Sequence, residues 1–387
     1  MRVHRLAMVG CGAFARLYHL PIIHANPRAQ LAVVCDLNPD VAKECAERFH
    51  ARKATADWHE VIDDPDVDAI ILATHTNLRA ELIIPALQAG KPVFVEKPVA
   101  NTDAEMVEIV RAGRAARLPV CVDHNRRSSP AMHDLCQLLQ KARNGPGGHL
   151  PSVDRSDGGK RAAMPQEKQT QILIRVNDDC RSWVDWALTD AEGILFAEMV
   201  HFIDVAMWLM NPLPITRVFA EGSAQGNFAL IMRFADGSLA TIQQTICGHF
   251  DYPKELIEVT ANHVTMAMEH HVELRQRGLE DEPFRRTYPF KSIDGGIEDG
   301  GIEAFHRAVT ETFDNARRTG NPPVFISPDK GHAAHIDRFL DCIEGKGENP
   351  CDVVDAVRVT RVALKLLESV RREQPVEIRD SDWQIEA

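Results

Sequence analysis

The sequence has no Cys-x-x-Cys pair, no long apolar run and no strongly basic block, and each absence removes a class of protein. Its nine cysteines stand singly, at positions 11, 35, 45, 121, 136, 180, 247, 342 and 351, several of them inside apolar segments. Thiols scattered in this way read as small buried hydrophobes of a reducing, cytoplasmic compartment, and a structural zinc site is not expected. No stretch approaches the ~18 consecutive apolar residues of a membrane helix. The apolar start of the chain breaks at Gly10, too early for a signal peptide. Lys and Arg number 44 against 56 Asp and Glu, a net charge of −12, so nucleic acid is not an expected partner and the acidic surface serves solubility. No Ser-His-Asp or P-loop string stands out.

What is present is an ordinary globular composition, 44% hydrophobic and 26% charged, which excludes wholesale disorder and collagen-like repeats. A chain of 387 residues, at ~150 per domain, holds two or three domains. Over residues 1–123 short apolar runs alternate with helical stretches. The runs are Leu6–Val9, Leu31–Cys35, Ala69–Ala73, Val93–Val95 and Pro119–Val122. None alternates in and out, as expected of parallel strands covered on both faces. The helices between them carry readable ends: Asn38-Pro39-Asp40 as cap, first-turn proline and first-turn acid; Gly90 as a stop after Asn77–Ala89; and Thr102 with Glu105 as a capping box opening Ala104–Ala115. Repeated βα units predict an α/β fold with a doubly wound parallel sheet.

From residue 124 the pattern changes. Residues 141–170 hold five glycines and three prolines and read as an irregular insertion. A helix is expected over Ala197–Met210. Phe228–Phe234 and Leu239–Ile246, joined by Ala235-Asp236-Gly237-Ser238, read as a hairpin in half-buried antiparallel sheet, and residues 256–269 add strand signal. Helices over Asp329–Ile343 and Asp352–Arg371 close the chain. The division expected is a nucleotide-type domain over 1–123 and an α+β domain with a largely antiparallel sheet over 124–387.

Two strings carry chemistry. Gly10-Cys11-Gly12-Ala13-Phe14-Ala15 follows the first strand and opens the first helix, matching G-x-G-x-x-G/A. Gly10 permits the tight turn and Gly12 a close approach of backbone to a pyrophosphate. Ala15 lets the helix pack on the strand, and the helix N-terminus offers N–H groups to phosphate. Asp36 follows Ala15 by 21 residues, at the end of the second strand, where an acid accepts from both ribose hydroxyls and repels a 2′-phosphate. The next residue is Leu37, so NAD is favoured over NADP. The second string, Glu96-Lys97-Pro98, puts a lysine at the carboxyl end of a strand, the edge where open α/β sheets bind ligands. Pro98 keeps Lys97 out of helical geometry, so its side chain can hydrogen-bond a substrate oxygen and stabilise alkoxide character. A solvated surface lysine fits the spacing equally well.

The glycine turn, Glu96-Lys97-Pro98, Asn125-Arg126-Arg127 and a downstream helix with His201 together resemble the Gfo/Idh/MocA oxidoreductases. The resemblance covers nearly the whole chain. It implies a Rossmann domain, an α/β domain whose open sheet mediates oligomerisation into a homodimer or homotetramer, a nicotinamide cofactor, and a sugar, cyclitol or related polyol as substrate. The stretch Glu192–Asp204 matches the family's substrate-side motif. Many members carry an aspartate four residues before the histidine; here that position is Ala197, and the acid is Glu198, three before His201. That spacing still places both side chains on one helix face.

His201 is the candidate general base, Lys97 the group that polarises the oxygen, and Glu198 the group that orients His201 or holds a hydroxyl. The competing readings are a core histidine for His201 and an ion pair with a nearby arginine for Glu198. Cofactor contacts are expected from Gly10, Gly12, Ala13, Phe14, Asp36, Thr74, His75, Glu96, Lys97 and Asn125. The substrate side is expected to include Arg127, Asn177 and Trp183, with His249–Lys254 as a covering loop and Asp204 as a structural partner. His270-His271 lie in an expected strand, facing opposite sides, and His332 and His335 lack a third ligand, so no metal is assigned. The leading expectation is NAD-dependent oxidation of a secondary alcohol. The alternatives are an NAD-dependent glycosidase working by transient oxidation and elimination, and a cofactor-binding sensor or scaffold without turnover.

Overall fold

The computed structural model describes residues 2–145, 147–148, 168–182, 193–249, 252–291, 296–321 and 326–385. The first part runs β1 (His4–Val9), a π-helical turn (Ala15–His19) leading into α1 (Leu20–Ala25), β2 (Ala29–Cys35), α2 (Pro39–Phe49), β3 (Lys53–Thr55) and α3 (His59–Ile62). It continues with β4 (Ala69–Leu72), α4 (Arg79–Gln88), β5 (Val93–Val95), α5 (Asp103–Ala116), β6 (Val120–Val122) and a 3-10 turn over Asn125–Ser128. Then come α6 (Pro130–Asn144), β7 (Gln171–Asn177), α7 (Gly193–Ala197), α8 (Val200–Met210), β8 (Ile215–Gly222), β9 (Phe228–Phe234) and β10 (Leu239–Thr245). Next are β11 (Glu255–Ala261), β12 (Val264–Glu269), β13 (Glu273–Arg277), β14 (Arg285–Thr287), β15 (Phe290–Lys291), β16 (Ile297–Glu298), α9 (Gly301–Thr319) and β17 (Ser327–Pro328). The last elements are α10 (His332–Ile343), α11 (Val353–Arg372), β18 (Val376–Glu377) and α12 (Asp380–Trp383).

The chain divides into two compact units, one from residues 1–128, 331–361 and 380–387, the other from 129–330 and 362–379. The first unit thus takes in residues 331–361 and 380–387 beyond its opening segment. The reason is apolar: Ile336, Phe339 and Leu340 of α10 are buried in the same cluster as Leu6 and Met8 of β1 and Phe94 of β5. Burial of three such side chains contributes roughly 1.5–3 kcal/mol each.

In the first unit the sheet order is β3-β2-β1-β4-β5-β6, parallel throughout. Helices cover both faces, so β4 and β5 are buried at every position. The caps form as read: the Asn38 side chain accepts from the Asp40 N–H, and Thr102 and Glu105 close a capping box. Strand β3 is the element the sequence does not announce. Lys53-Ala54-Thr55 has no apolar run because it lies at the sheet edge, half in water.

The second unit is built on a nine-stranded sheet, β14-β13-β12-β11-β7-β10-β9-β8-β18. All its pairs are antiparallel except β7–β10. Strand β9 alternates, with Phe228, Leu230, Met232 and Phe234 inward and Ala229, Ile231 and Arg233 outward. The hairpin turns at Gly237, whose φ of 88° suits glycine.

Three readings are corrected here. The insertion expected from Lys141 begins later, since α6 runs to Asn144; residues 146 and 149–167 lie outside the described residues. The single helix expected over Ala197–Met210 is two. The His201 N–H bonds the Glu198 carbonyl at 3.1 Å and the Phe202 N–H bonds the Met199 carbonyl at 2.9 Å, three-residue bonds that tighten the chain between α7 and α8. His270 and His271 are not in a strand but form the turn between β12 and β13, both at positive φ.

Candidate active site

The β1 turn is shaped by what a side chain would strike. Gly10 has φ +89°, and a Cβ there would stand 2.6 Å from the Ala73 carbonyl oxygen, so only glycine fits. At Gly12 a Cβ would meet nothing within 4 Å. Open space at that point, with Gly12, Ala13 and Phe14 exposed, is the cradle a pyrophosphate needs. The first helical bond runs from the Arg16 N–H to the Gly12 carbonyl, so the N–H groups of the opening turn face outward. Asp36 closes the other side. Its carboxylate accepts the Cys11 N–H at 2.8 Å and the Asn38 N–H at 2.9 Å, which fixes the acid beside the turn. Leu37, next in the chain, is 81% exposed, and no cation follows to hold a 2′-phosphate.

The other expected cofactor residues end the neighbouring strands of the same sheet. Thr74 and His75 follow β4, Glu96 and Lys97 follow β5, and Asn125 opens the turn after β6. An arginine that sequence reasoning missed ties these ends together. Arg79, buried at the start of α4, donates to the carbonyls of Thr74 (2.9 Å), Glu96 (2.5 Å) and Pro98. Its signal was a single cation at the start of an apolar helix, which names no partner. Lys97 is partly exposed at this edge, whereas Glu96 is buried and accepts a 2.7 Å hydrogen bond from His19 Nε2. That bond turns Glu96 inward, away from the cofactor role expected of it. Asn125 is buried, and its amide lies 3.5 Å from His332 Nδ1. His332 stacks on Tyr18 at 4.6 Å, beside the exposed Phe14. Arg127 is buried and paired with Asp355 at 3.1 Å, a structural bond rather than a free cation for substrate.

In the second unit, His201 lies in the first turn of α8, 8% exposed, and Asp204 is fully buried one turn on. Glu198, in the break before α8, is paired with a lysine among the described residues. Lys254 Nζ stands 2.9 Å from Glu198 Oε1 and 2.8 Å from Asp178 Oδ2. Burial works against the Lys254 charge, yet the two carboxylates outweigh it and hold its pKa above the ordinary lysine value. Asn177, at the end of β7, donates from its amide to the His249 carbonyl at 3.2 Å, and Arg175 sits over the Tyr252 ring. The loop expected to cover a site is thus bonded to the strand end carrying Asn177 and Asp178. Trp183 and Glu192 lie outside the described residues, as do 250–251 of that loop.

A 3-2-1-4-5-6 parallel sheet with a glycine turn at its switch point and an acid after its second strand defines a dinucleotide-binding fold. Residues 4–124 match the model of the "oxidoreductase family, NAD-binding Rossmann fold". That match gives residues 4–124 the NAD-binding Rossmann domain of this oxidoreductase family, and the chain is an NAD-binding dehydrogenase. It is 23% identical over 97% of its length, and 96% of the relative's, to an uncharacterised oxidoreductase, YrbE, of Bacillus subtilis. It is 26% identical to a myo-inositol 2-dehydrogenase of Thermotoga maritima, covering 65% of this chain and 71% of the relative. A crystal structure of scyllo-inositol dehydrogenase from Lactobacillus casei, with NAD(H) and scyllo-inositol bound, has the same fold. It superposes with a TM-score of 0.69 at 16% identity, over 97% of this chain and 99% of that one. No helix among the described residues is long and apolar enough to cross a membrane.

Proposed function

We propose that the protein transfers a hydride between a secondary alcohol of a sugar, cyclitol or related polyol and NAD. The observation that carries this reading is Lys97, partly exposed at the end of β5 on the same sheet edge as the Gly10–Gly12 turn and Asp36. Gly10, Gly12, Ala13 and Phe14 would hold the pyrophosphate, Asp36 the adenosine ribose, and Thr74, His75 and Asn125 the nicotinamide half. The nicotinamide, when bound, supplies or accepts the hydride. Lys97 donates a hydrogen bond to the substrate oxygen and stabilises its alkoxide character. His201 takes or returns the hydroxyl proton as a general acid–base imidazole. Glu198, paired with Lys254, orients His201 or receives a substrate hydroxyl. Asn177 and Trp183 complete the polyol contacts, and Arg127, committed to Asp355, takes no part. The inositol dehydrogenases among the relatives favour a polyol over other alcohols.

The same reading has the protein cytoplasmic and assembled as a homodimer or homotetramer through the outer face of the nine-stranded sheet. There Leu173 and Ile231 are each 41% exposed. The test is a polyol and glycoside panel, following NADH absorbance and aglycone release together. NADH formation that falls at least ~100-fold in K97M and in H201A, with NAD still bound, supports the reading. Unchanged turnover in both variants overturns the site, and aglycone release without net NADH overturns the reaction in favour of redox-assisted glycoside cleavage. Light scattering of the purified protein checks the assembly.

A further inference from the structure

Parallel pairing sets Val95 of β5 opposite Val122 of β6, so the residues that follow, Glu96 and Asp123, leave the sheet side by side. The Asp123 N–H bonds the Val95 carbonyl at 2.8 Å, which holds the two ends together. His19, from the π-helical turn before α1, completes the group. Its Nε2 stands 2.7 Å from Glu96 Oε1 and 3.8 Å from Asp123 Oδ2. The three polar atoms lie within 4.8 Å of one another, with side chains 1% (His19), 10% (Glu96) and 2% (Asp123) exposed. Among the described residues, no hydrogen-bond partner faces Asp123 Oδ1.

Two carboxylates this close, out of water, do not both ionise. His19 gives its donor to Glu96, which leaves Glu96 as the anion and Asp123 as the acid that keeps its proton. The charged groups facing the pair come from every side: His19 before α1, Arg79 from α4, Lys97 on the same strand end, and Arg126 from the turn after β6. We propose that Asp123 and Glu96 share one proton at the strand end that carries Lys97, and that this buried acid pair positions the lysine at the carboxyl edge of the sheet. The inference rests on the reading of Lys97 as the oxygen-polarising residue.

The electrostatics agree in direction. Burial, and then the Glu96 charge, push the Asp123 carboxyl well up from its ordinary value. For Glu96, burial is outweighed by the hydrogen bond from His19 and the charges of His19, Lys97 and Arg79, so its carboxyl stays below the carboxylate range. One proton on the pair leaves a single negative charge against the Lys97 ammonium. Asp123 acts through Glu96 and touches no substrate, so it is a positioning residue.

Difference infrared spectroscopy on the full-length protein at pH 7 is expected to show the carbonyl band of a protonated carboxylic acid, shifted in deuterium oxide and missing in D123N. In steady-state assays D123L is expected to lose about tenfold or more in kcat with the KM for NAD little changed, and D123N to recover most of that loss, since a carboxamide still donates to Glu96. The alkaline limb of the wild-type kcat profile, where Asp123 gives up its proton, is expected to be missing in D123N. Should D123L fail to fold, D123N and the infrared band still decide. The proposal is overturned if no such band exists, if it survives in D123N, if D123L turns over like wild type, or if the cluster retains one equivalent of zinc. A band that stands while K97M keeps full turnover overturns the role given to Lys97 and the positioning built on it, leaving only the shared proton.

Discussion

The ammonium of Lys254 lies 2.9 Å from the carboxylate of Glu198, and its other partner, Asp178, is 2% exposed. One cation therefore holds both the acid that precedes α8 and the acid that ends β7. K254M leaves two carboxylates without their counter-charge. Breaking a fully buried pair costs ~3–5 kcal/mol, and with Lys254 24% and Glu198 20% exposed the expected loss is about 2–3 kcal/mol by urea unfolding at pH 7. E198Q, which leaves the Lys254–Asp178 pair, is expected to lose less than half of that.

Gly10 and Gly12 separate folding from binding. A methyl at Gly10 meets the Ala73 carbonyl and demands a strained φ, so G10A is expected to lower stability by ~1–3 kcal/mol in thermal unfolding. G12A meets no protein atom and is expected to fold normally. Its methyl occupies the phosphate cradle, and calorimetry is expected to show NAD affinity reduced by at least ~10-fold.

Asp36 sets the choice of cofactor. Its carboxylate is already fixed by the Cys11 and Asn38 N–H groups, so ribose recognition costs it little ordering. D36A is expected to weaken NAD by ~10–100-fold and to strengthen NADP relative to NAD, read as the ratio of the two dissociation constants.

His335 gives the acid side of the stability profile. Its Nε2–H donates to the Val122 carbonyl at 3.0 Å and its Nδ1 accepts from the Ser128 hydroxyl at 2.8 Å, an arrangement of the neutral ring. Burial pushes its pKa down to about 3, while the unfolded chain takes the proton near ~6.5. The stability it contributes is therefore complete above ~pH 6.5 and falls as pH drops toward 3, by about 1.4 kcal/mol per pH unit. H335Q keeps both hydrogen bonds without a titrating group, and its stability is expected to fall less steeply between pH 6 and 4.

Much of this was legible in the sequence because it is written in local terms. The strand runs over 6–9, 31–35, 69–73 and 93–95, the Asn38 and Thr102 caps, and the Gly10–Ala15 turn each depend on a few consecutive residues. The hairpin around Gly237 was readable for the same reason. What escaped depends on pairing across the chain. Lys53–Thr55 is a strand only because β2 offers an edge; Arg79 matters because three carbonyls converge on it; and Lys254 pairs with Glu198 and Asp178 because β7 and β11 run together. His19 and Asp123 gave no signal at all: 104 residues separate them, and they meet only because the register of β5 on β6 sets Glu96 beside Asp123 while the turn before α1 brings His19 onto Glu96.

Because Ile336, Phe339 and Leu340 fill the interior shared by Leu6, Met8 and Phe94, the amino-terminal unit draws on residues made more than two hundred positions later. During synthesis its parallel strands emerge early but wait for α10 to seal their apolar side. A ribosome-bound fragment ending near residue 130, though it contains every strand and the whole phosphate turn, is left with a bare flank for chaperones to guard.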